Sequence, residues 1–317
     1  MTKVIDQVIS EKWAVYMGDS VELIKGIPDS KIHYSIFSPP FSSLYTYSAS
    51  DRDIGNCKGE NEFFKHFSYL IKDLFRITIS GRLVSVHCID IPRQKEKDGF
   101  IGLYDFSGDL IRWFEKEGFI YHSKVTIWKD PLLAAVRTRA LGLAHKQLVK
   151  DSAMCTQGQP DYVITFRKPG VNTEPISHGI GFDDYIGTEI LPKVKKTDNP
   201  ATNKKSHIIW QRYASPVWFD INQSNTLNFV LAREQNDERH ICPLQLDVIA
   251  RCLELWSNPG DIVFSPFMGI GSEGYESLKR GRKFIGMELK KSYFDIAVKN
   301  LKSIEFKKQL KGFFNIG

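Results

Sequence analysis

The sequence predicts an α/β fold: an open, doubly wound, mostly parallel sheet with a region inserted into it. Three observations carry this. Strand-like and helix-like patterns alternate along both ends of the 317-residue chain, the arrangement of a sheet covered by helices on both faces. Near the C-terminus a strand, a glycine loop, a helix, a second strand and an acid follow one another as one βαβ unit. Near the N-terminus an apolar run is closed by two adjacent prolines, Pro39 and Pro40.

Runs of β-branched and aromatic residues predict strands at about 12–17, 32–38, 82–89, 119–128, 161–167, 261–265 and 282–288. Helical spacing predicts helices at about 61–79, 107–117, 243–257, 272–280 and 291–306. Phe64, Phe67, Leu70, Ile71, Leu74 and Phe75 fall on one helical stripe, which reads most simply as core packed on the sheet. The strands at 119–128 and 161–167 suit a hairpin at the sheet edge with an insertion at its tip. Residues 1–131 and 230–317, with strand 161–168, are expected to form the core. Residues 132–160 and 169–229 are expected to form the inserted region.

The first motif is Ser38-Pro39-Pro40-Phe41, at the end of Lys31–Phe37. Proline lacks the N–H that a central ladder needs, so the strand stops there. In open parallel sheets ligands collect beyond the carboxyl ends of strands. Taken alone, the segment is equally a proline-rich turn without chemistry. The second motif is Phe264-Ser265-Pro266-Phe267-Met268-Gly269-Ile270-Gly271, which opens a helix at Ser272. Glycines let a backbone approach a ligand, and a helix N-terminus offers free N–H donors. The following strand, Arg282–Met287, ends in Glu288, where an acid can bond ribose hydroxyls. Gly269, Gly271 and Gly274 also fit the G-x-G-x-x-G dinucleotide spacing, so a nicotinamide or flavin enzyme is a second reading. Against it, the fingerprint lies near the C-terminus with no catalytic domain after it, and Phe-Ser-Pro-Phe precedes the glycines.

The middle of the chain breaks the alternation. Arg137, Arg139, His145, Lys146 and Lys150 lie among small and aliphatic residues. Lys193, Lys195, Lys196, Lys204 and Lys205 precede Trp210-Gln211-Arg212-Tyr213 and Trp218-Phe219. Basic residues among aromatics and amides suit phosphate contact and base reading. The competing reading is a solvated loop with a satellite core around Trp210 and Trp218. With 43 Lys and Arg against 37 Asp and Glu, the net charge of +6 is compatible with a polyanionic partner. Five scattered cysteines without a framework point to a reducing cytosol. His87-Cys88 and His240 with Cys242 lack the spacing of a closed metal site, so no metal is expected. No leader and no apolar run of about 18 residues occurs, so a soluble, cytoplasmic protein is expected, with no membrane partner.

Both motifs, in this order, resemble those of the N4-cytosine/N6-adenine DNA methyltransferases in the permuted arrangement called the β class. The resemblance covers roughly residues 12–130 and 230–305. It implies a Rossmann-like methyltransferase fold, S-adenosyl-L-methionine as methyl donor and double-stranded DNA as partner, with the middle region as target-recognition insertion. It implies that Gly18-Asp19-Ser20 is the early Gly-Asp segment, with Asp19 near the cofactor adenine. It implies that His240-Ile241-Cys242-Pro243-Leu244-Gln245 holds the methionine end, through Pro243 and Gln245. It implies cofactor roles for Ser265, Phe267, Gly269, Gly271, Ser272 and Glu288. Two departures stand out: the family usually has Asp where Ser265 lies and Thr where Ser272 lies.

The implied chemistry is methylation of an exocyclic amine. Ser38 Oγ and the Pro39 carbonyl accept from the amino hydrogens and direct the nitrogen lone pair at the methyl carbon. Ser38, Pro39, Pro40 and Phe41 are thus the catalytic candidates. A base buried in a duplex must be flipped out; Phe41 stacks on it, with Trp128 or Tyr121 opposite. A serine at the first motif position resembles N4-cytosine enzymes more than N6-adenine ones. Arg137, Arg139, Lys193, Lys195, Lys196, Lys204, Lys205 and Arg212 are the DNA-binding candidates. A catalytically inactive DNA-binding protein of the same fold is the alternative from another class. A bacterial or phage origin is expected; a homodimer and a cognate restriction endonuclease are open as further partners.

Overall fold

The structure is a computed structural model, and it describes residues 4–40, 57, 59–93, 95–133, 141–195, 202–228 and 243–314. In chain order its main elements are β1 (Asp6–Ile9), β2 (Trp13–Met17), α1 (Ser20–Leu23), β3 (Ile32–Phe37), α2 (Glu60–Ile77), β4 (Thr78–Cys88), β5 (Ile91–Arg93), α3 (Lys95–Asp98), β6 (Gly102–Tyr104), α4 (Phe106–Lys116) and β7 (Ile120–Ile127). There follow α5 (His145–Lys150), β8 (Asp161–Arg167), α6 (Lys204–Tyr213), β9 (Val217–Trp218), α7 (Leu246–Trp256), β10 (Ile262–Ser265), α8 (Ser272–Lys279), β11 (Lys283–Glu288) and α9 (Lys291–Phe314).

One mixed sheet runs β1-β2-β11-β10-β3-β4-β8-β7-β9. The central strands β2, β11, β10, β3 and β4 are parallel. Such strands are covered on both faces, and β3 is buried at five of its six positions. On one face α2 lays down the stripe Phe63, Phe64, Phe67, Leu70, Ile71, Leu74 and Ile77, joined by Phe106 and Phe114 of α4. Fully burying each such phenylalanine contributes about 1.5–3 kcal/mol. On the other face Ile249 and Leu253 of α7, Leu278 of α8 and Leu301 of α9 pack on Tyr34, Val263 and Phe284. Gly274 lets α8 approach the sheet: a Cβ there lies 2.6 Å from the Phe284 ring and 2.8 Å from Leu301.

The chain leaves β10 through α8 on one face and leaves β3 through α2 on the other. The strand order therefore reverses between β10 and β3, and this switch point opens a crevice at their carboxyl ends. Helix α7 precedes β10 and runs against it, so its N-terminus lies at the same edge.

The strand at 82–89 begins earlier, at Thr78. Ile32 pairs with Thr78 and Tyr34 with Leu83, so β4 carries an irregularity there, and Gly81 at φ +75° accommodates it. The expected hairpin forms, β7 against β8, but it is not the edge: β9 adds outside β7. Part of the segment between β8 and α7 is packed. Ile186, Ile209 and Tyr213 form a satellite core with Ala250 of α7. Trp218 is buried in the main core while Trp210 is exposed, so the satellite core is not built on those two tryptophans. Arg251 of α7, fully buried, fastens the region down. Its guanidinium donates to both Asp220 oxygens at 2.9 Å and to the Ile186 carbonyl, and lies 4.9 Å from the ring centres of Tyr213 and Trp218.

Candidate active site

The first side of the switch-point crevice is the loop that follows β3. Two prolines end the strand, Pro39 is buried, and Ser38 is half-buried at the edge. Phe37 pairs with Val86, which sets Ser38 beside His87 on β4. Ser38 Oγ lies 2.9 Å from His87 Nδ1, and His87 Nε2 lies 3.1 Å from Asp161 Oδ2. Asp161 opens β8, the antiparallel neighbour of β4, and is buried. Lys129, just past β7, brings its ammonium 2.5 Å from Asp161 Oδ1. Burial pushes the Asp161 carboxyl upward, but the hydrogen bond and charge of His87 and the Lys129 ammonium outweigh it and hold it below the usual carboxylate value. Sequence reading misses this chain of partners; it weighs His87 only with Cys88, as a metal pair whose spacing it rejects.

The second side is the loop after β10. Gly269 has φ +51° and Gly271, the N-cap of α8, has φ +86°, conformations that disfavour any residue with a Cβ. A Cβ on Gly269 meets no atom of the described residues within 4 Å. Gly269 N–H donates to Glu288 Oε2 and Lys290 N–H to Glu288 Oε1, each at 2.9 Å, which fixes the carboxylate at the end of β11. Among the described residues the hydroxyl of buried Ser265 has no partner, nor does the buried Gln245 Oε1 at the N-cap of α7. Ser272 is buried in the first turn of α8. Phe267 leans on Phe37 and Phe67, with ring centres 5.9 and 6.3 Å away, so it is partly core. Asp19 caps α1 by accepting from Val21 N–H at 2.9 Å. Gly18 N–H bonds the Glu288 carbonyl, joining that segment to the same edge. Pro243 is half-buried just ahead of α7.

A further acid faces this side. Glu273 is buried in the first turn of α8, and its pKa is pushed up to about 8 by burial, with a smaller push from the Glu288 charge.

The two aromatic candidates separate. Trp128 follows β7 at the crevice edge and is 45% exposed. Tyr121 pairs with Phe166, and Phe166 with Val84, three residues short of His87 along β4. Its ring packs near Phe166 at the start of β7, whereas Trp128 lies just past the strand's end. Phe41, Arg137, Arg139 and Lys196 lie outside the described residues, as do His240 and Cys242. Lys193, Lys195 and Lys204 are exposed. Lys205 is paired with Asp183, and Arg212 is held by Glu189 through bonds of 2.5 and 3.0 Å. Arg212 is thus already engaged within the inserted region.

His33, Glu174 and Asp261 cluster at the opposite edge of the sheet. His33 Nδ1 accepts from Ile262 N–H, which leaves the proton on Nε2, the atom facing the two carboxylates. Asp261 also pairs with the buried Arg82. Among the described residues no helix is long and apolar enough to cross a membrane.

Comparison with known proteins agrees with this geometry. The sequence matches the family described as DNA methylase over residues 32–299. The orphan methyltransferase M.BamHII of Bacillus amyloliquefaciens is 48% identical over 304 residues, 91% of this chain and 96% of that protein. The DNA adenine methyltransferase YhdJ of Escherichia coli (strain K12) is 35% identical over 204 residues, 56% of this chain and 69% of that one. Among solved structures, the cytosine-N4-specific PvuII DNA methyltransferase superposes with a TM-score of 0.60 at 16% identity, covering 93% of this chain and 91% of its own. A DNA modification methylase of Thermus thermophilus, complexed with S-adenosyl-L-methionine, gives 0.61 at 17% identity, covering 92% and 95%. At those identities the structural likeness establishes the fold, that of S-adenosylmethionine-dependent methyltransferases. A family match over most of the sequence and a relative 48% identical along nearly its whole length place the chain in the N6/N4 DNA methylase family, and it is a DNA methyltransferase.

Proposed function

We propose that the protein transfers a methyl group from S-adenosyl-L-methionine to the N4 amino group of a cytosine flipped out of duplex DNA. The single observation that carries the reading is the pairing, across one switch point, of the Ser38-Pro39 loop with the glycine loop of Gly269 and Gly271. The donor fits this chain: Gly269 leaves space that a side chain would fill, Glu288 presents a fixed carboxylate, and Ser265 and Gln245 hold buried polar atoms without partners among the described residues. When bound, S-adenosylmethionine supplies an electrophilic methyl group on a sulfonium. Glu288 takes the ribose hydroxyls, Asp19 lies toward the adenine, and Pro243 and Gln245 hold the methionine end. Ser38 Oγ and the Pro39 carbonyl accept from the two amino hydrogens. That draws the nitrogen toward tetrahedral geometry, so its lone pair leaves the ring system and points at the methyl carbon. Phe41 and Trp128 enclose the extruded base, and the segments 132–160 and 169–229 read the target, with the exposed lysines among them meeting phosphates.

The preference for cytosine rests on serine at position 38. The 35% identity to a DNA adenine methyltransferase favours N6-adenine as a second reading. Tritiated methyl transfer from S-adenosylmethionine to plasmid DNA, followed by nucleoside mass spectrometry, tests both. N4-methylcytosine is the expected product. N6-methyladenine overturns the base assignment alone, and absence of any methylated nucleoside overturns the activity.

A further inference from the structure

The chain Ser38, His87, Asp161, Lys129 spans four elements and ends in the crevice. Its bond directions follow from the acceptor at its inner end. A carboxylate can only accept, so the 3.1 Å contact fixes the proton of neutral His87 on Nε2. Nδ1 is then a bare lone pair, and the 2.9 Å contact to Ser38 is a bond in which the serine hydroxyl donates. With its proton held by His87, Ser38 presents only lone pairs to the crevice. Lys129 holds Asp161 from the other side. Such an arrangement orients an imidazole and stabilises its cation.

We propose that His87, oriented by Asp161 and Lys129, is a positioning residue for Ser38: it keeps the serine an acceptor toward the target amine and takes the proton that the amine releases. The proposal rests on the amino-methyltransferase reading above. In the step, the amine nitrogen bonds the methyl carbon while the carbon–sulfur bond breaks, its electron pair staying on sulfur. The nitrogen then loses one proton to Ser38 Oγ as the serine proton passes to His87 Nδ1. The positive charge that entered on sulfur ends on an imidazolium facing Asp161, and His87 later returns its proton to water.

The alternative protonation state defines the test. Doubly protonated His87 donates from Nδ1, occupies a serine lone pair and turns the serine hydroxyl outward as a donor, which opposes the amine. The transfer step therefore slows at low pH. The groups facing the imidazole are Ser38 just past β3 and Asp161 on β8, with Lys129 behind Asp161. Asp90, Asp105 and Lys124, together with Asp161, act on Cys88, the next residue along β4.

Single-turnover transfer of tritiated methyl groups to plasmid DNA, measured across pH, separates the possibilities. In the wild type the rate is expected to rise with pH along one ionisation. His87→Ala is expected to lose on the order of a hundredfold. His87→Gln, whose amide oxygen can still accept from Ser38, is expected to recover part of that loss but to lack the acid limb. Calorimetry is expected to find S-adenosylmethionine affinity unchanged in both. Adding Ser38→Ala to His87→Ala is expected to cost little more than Ser38→Ala alone. Nitrogen-15 NMR of histidine-labelled wild type, which needs no variant to fold, is expected to show His87 as the Nε2–H tautomer. An Nδ1–H tautomer, a wild-type rate and pH profile in His87→Gln, or additive losses in the double variant overturns the proposal. Wild-type protein that transfers no methyl groups overturns the parent reading instead.

Discussion

Replacing Arg251 with methionine tests how the inserted region is held to the catalytic core. The guanidinium is fully buried, bonds both oxygens of the equally buried Asp220, and lies over two aromatic rings. Methionine keeps the apolar stem but leaves the Asp220 carboxylate with Tyr185 as its remaining side-chain donor among the described residues. Stranding one buried charge of a pair costs about 3–5 kcal/mol. Because the cost belongs to the stranded charge, Arg251→Met/Asp220→Asn is expected to recover at least half, a coupling of about 2 kcal/mol or more. The pH dependence supplies a sign. Burial raises the Asp220 pKa, but the bonds from Arg251 and Tyr185 hold it below its ordinary 3.8. Asp220 therefore stabilises the wild type above about pH 4 and loses that contribution as pH falls through the folded value. In Arg251→Met the folded pKa rises above the ordinary one, so the variant is expected to be most stable in acid and to weaken as pH rises. Urea unfolding of the three proteins at pH 5 and pH 8 measures this. A loss below about 1 kcal/mol in Arg251→Met, or no recovery in the double variant, refutes the reasoning.

Three other outcomes are expected. Glu273 has a folded pKa of about 8 against an ordinary 4.5, so the folded state holds a proton the unfolded chain releases. Stability from this group is greatest below pH 4.5 and falls by about 1.4 kcal/mol per pH unit until pH 8. Glu273→Gln is expected to remove that slope from the urea-unfolding difference between the two proteins. Gly274→Ala drives a methyl group into Phe284 and Leu301 and is expected to cost about 1–3 kcal/mol of stability, read as a lower urea midpoint. Glu288→Ala is expected to weaken S-adenosylmethionine binding by about 1.5–3 kcal/mol through lost charge-assisted bonds; calorimetry on the folded variant checks it, and unchanged affinity removes Glu288 from the site.

Much of the core is legible in the sequence because its signals are local. Pro39 and Pro40 end β3 whatever surrounds them, and Asn258-Pro259-Gly260 separates α7 from β10. Glu288 is the last residue of its strand, so its place at the crevice comes with the βαβ reading. The Ser38–His87–Asp161 chain is not local: 49 and 74 residues separate its contacts, and only pairing of β4 with the antiparallel β8 brings them together. A usable signal exists once that pairing is assumed. A histidine near the end of one strand and an acid opening its antiparallel neighbour must share an edge. Strand β9 has two residues and α6 lies in a stretch without clear periodicity, so propensity could not find them; Arg251 and Asp220 hold that stretch in place. Composition does not show that Glu189 lies beside Arg212. Tyr121 and Trp128 seemed equivalent because strand membership alone does not say which end faces the crevice.

The central claim is that Ser38 accepts from the target amine during transfer. Single-turnover methylation by Ser38→Ala, at saturating plasmid DNA and S-adenosylmethionine, tests it most directly. The account expects a rate lower by about ten- to a thousandfold, the range for one preorganised transition-state contact, with cofactor affinity unchanged. Methyl transfer at the wild-type rate contradicts it.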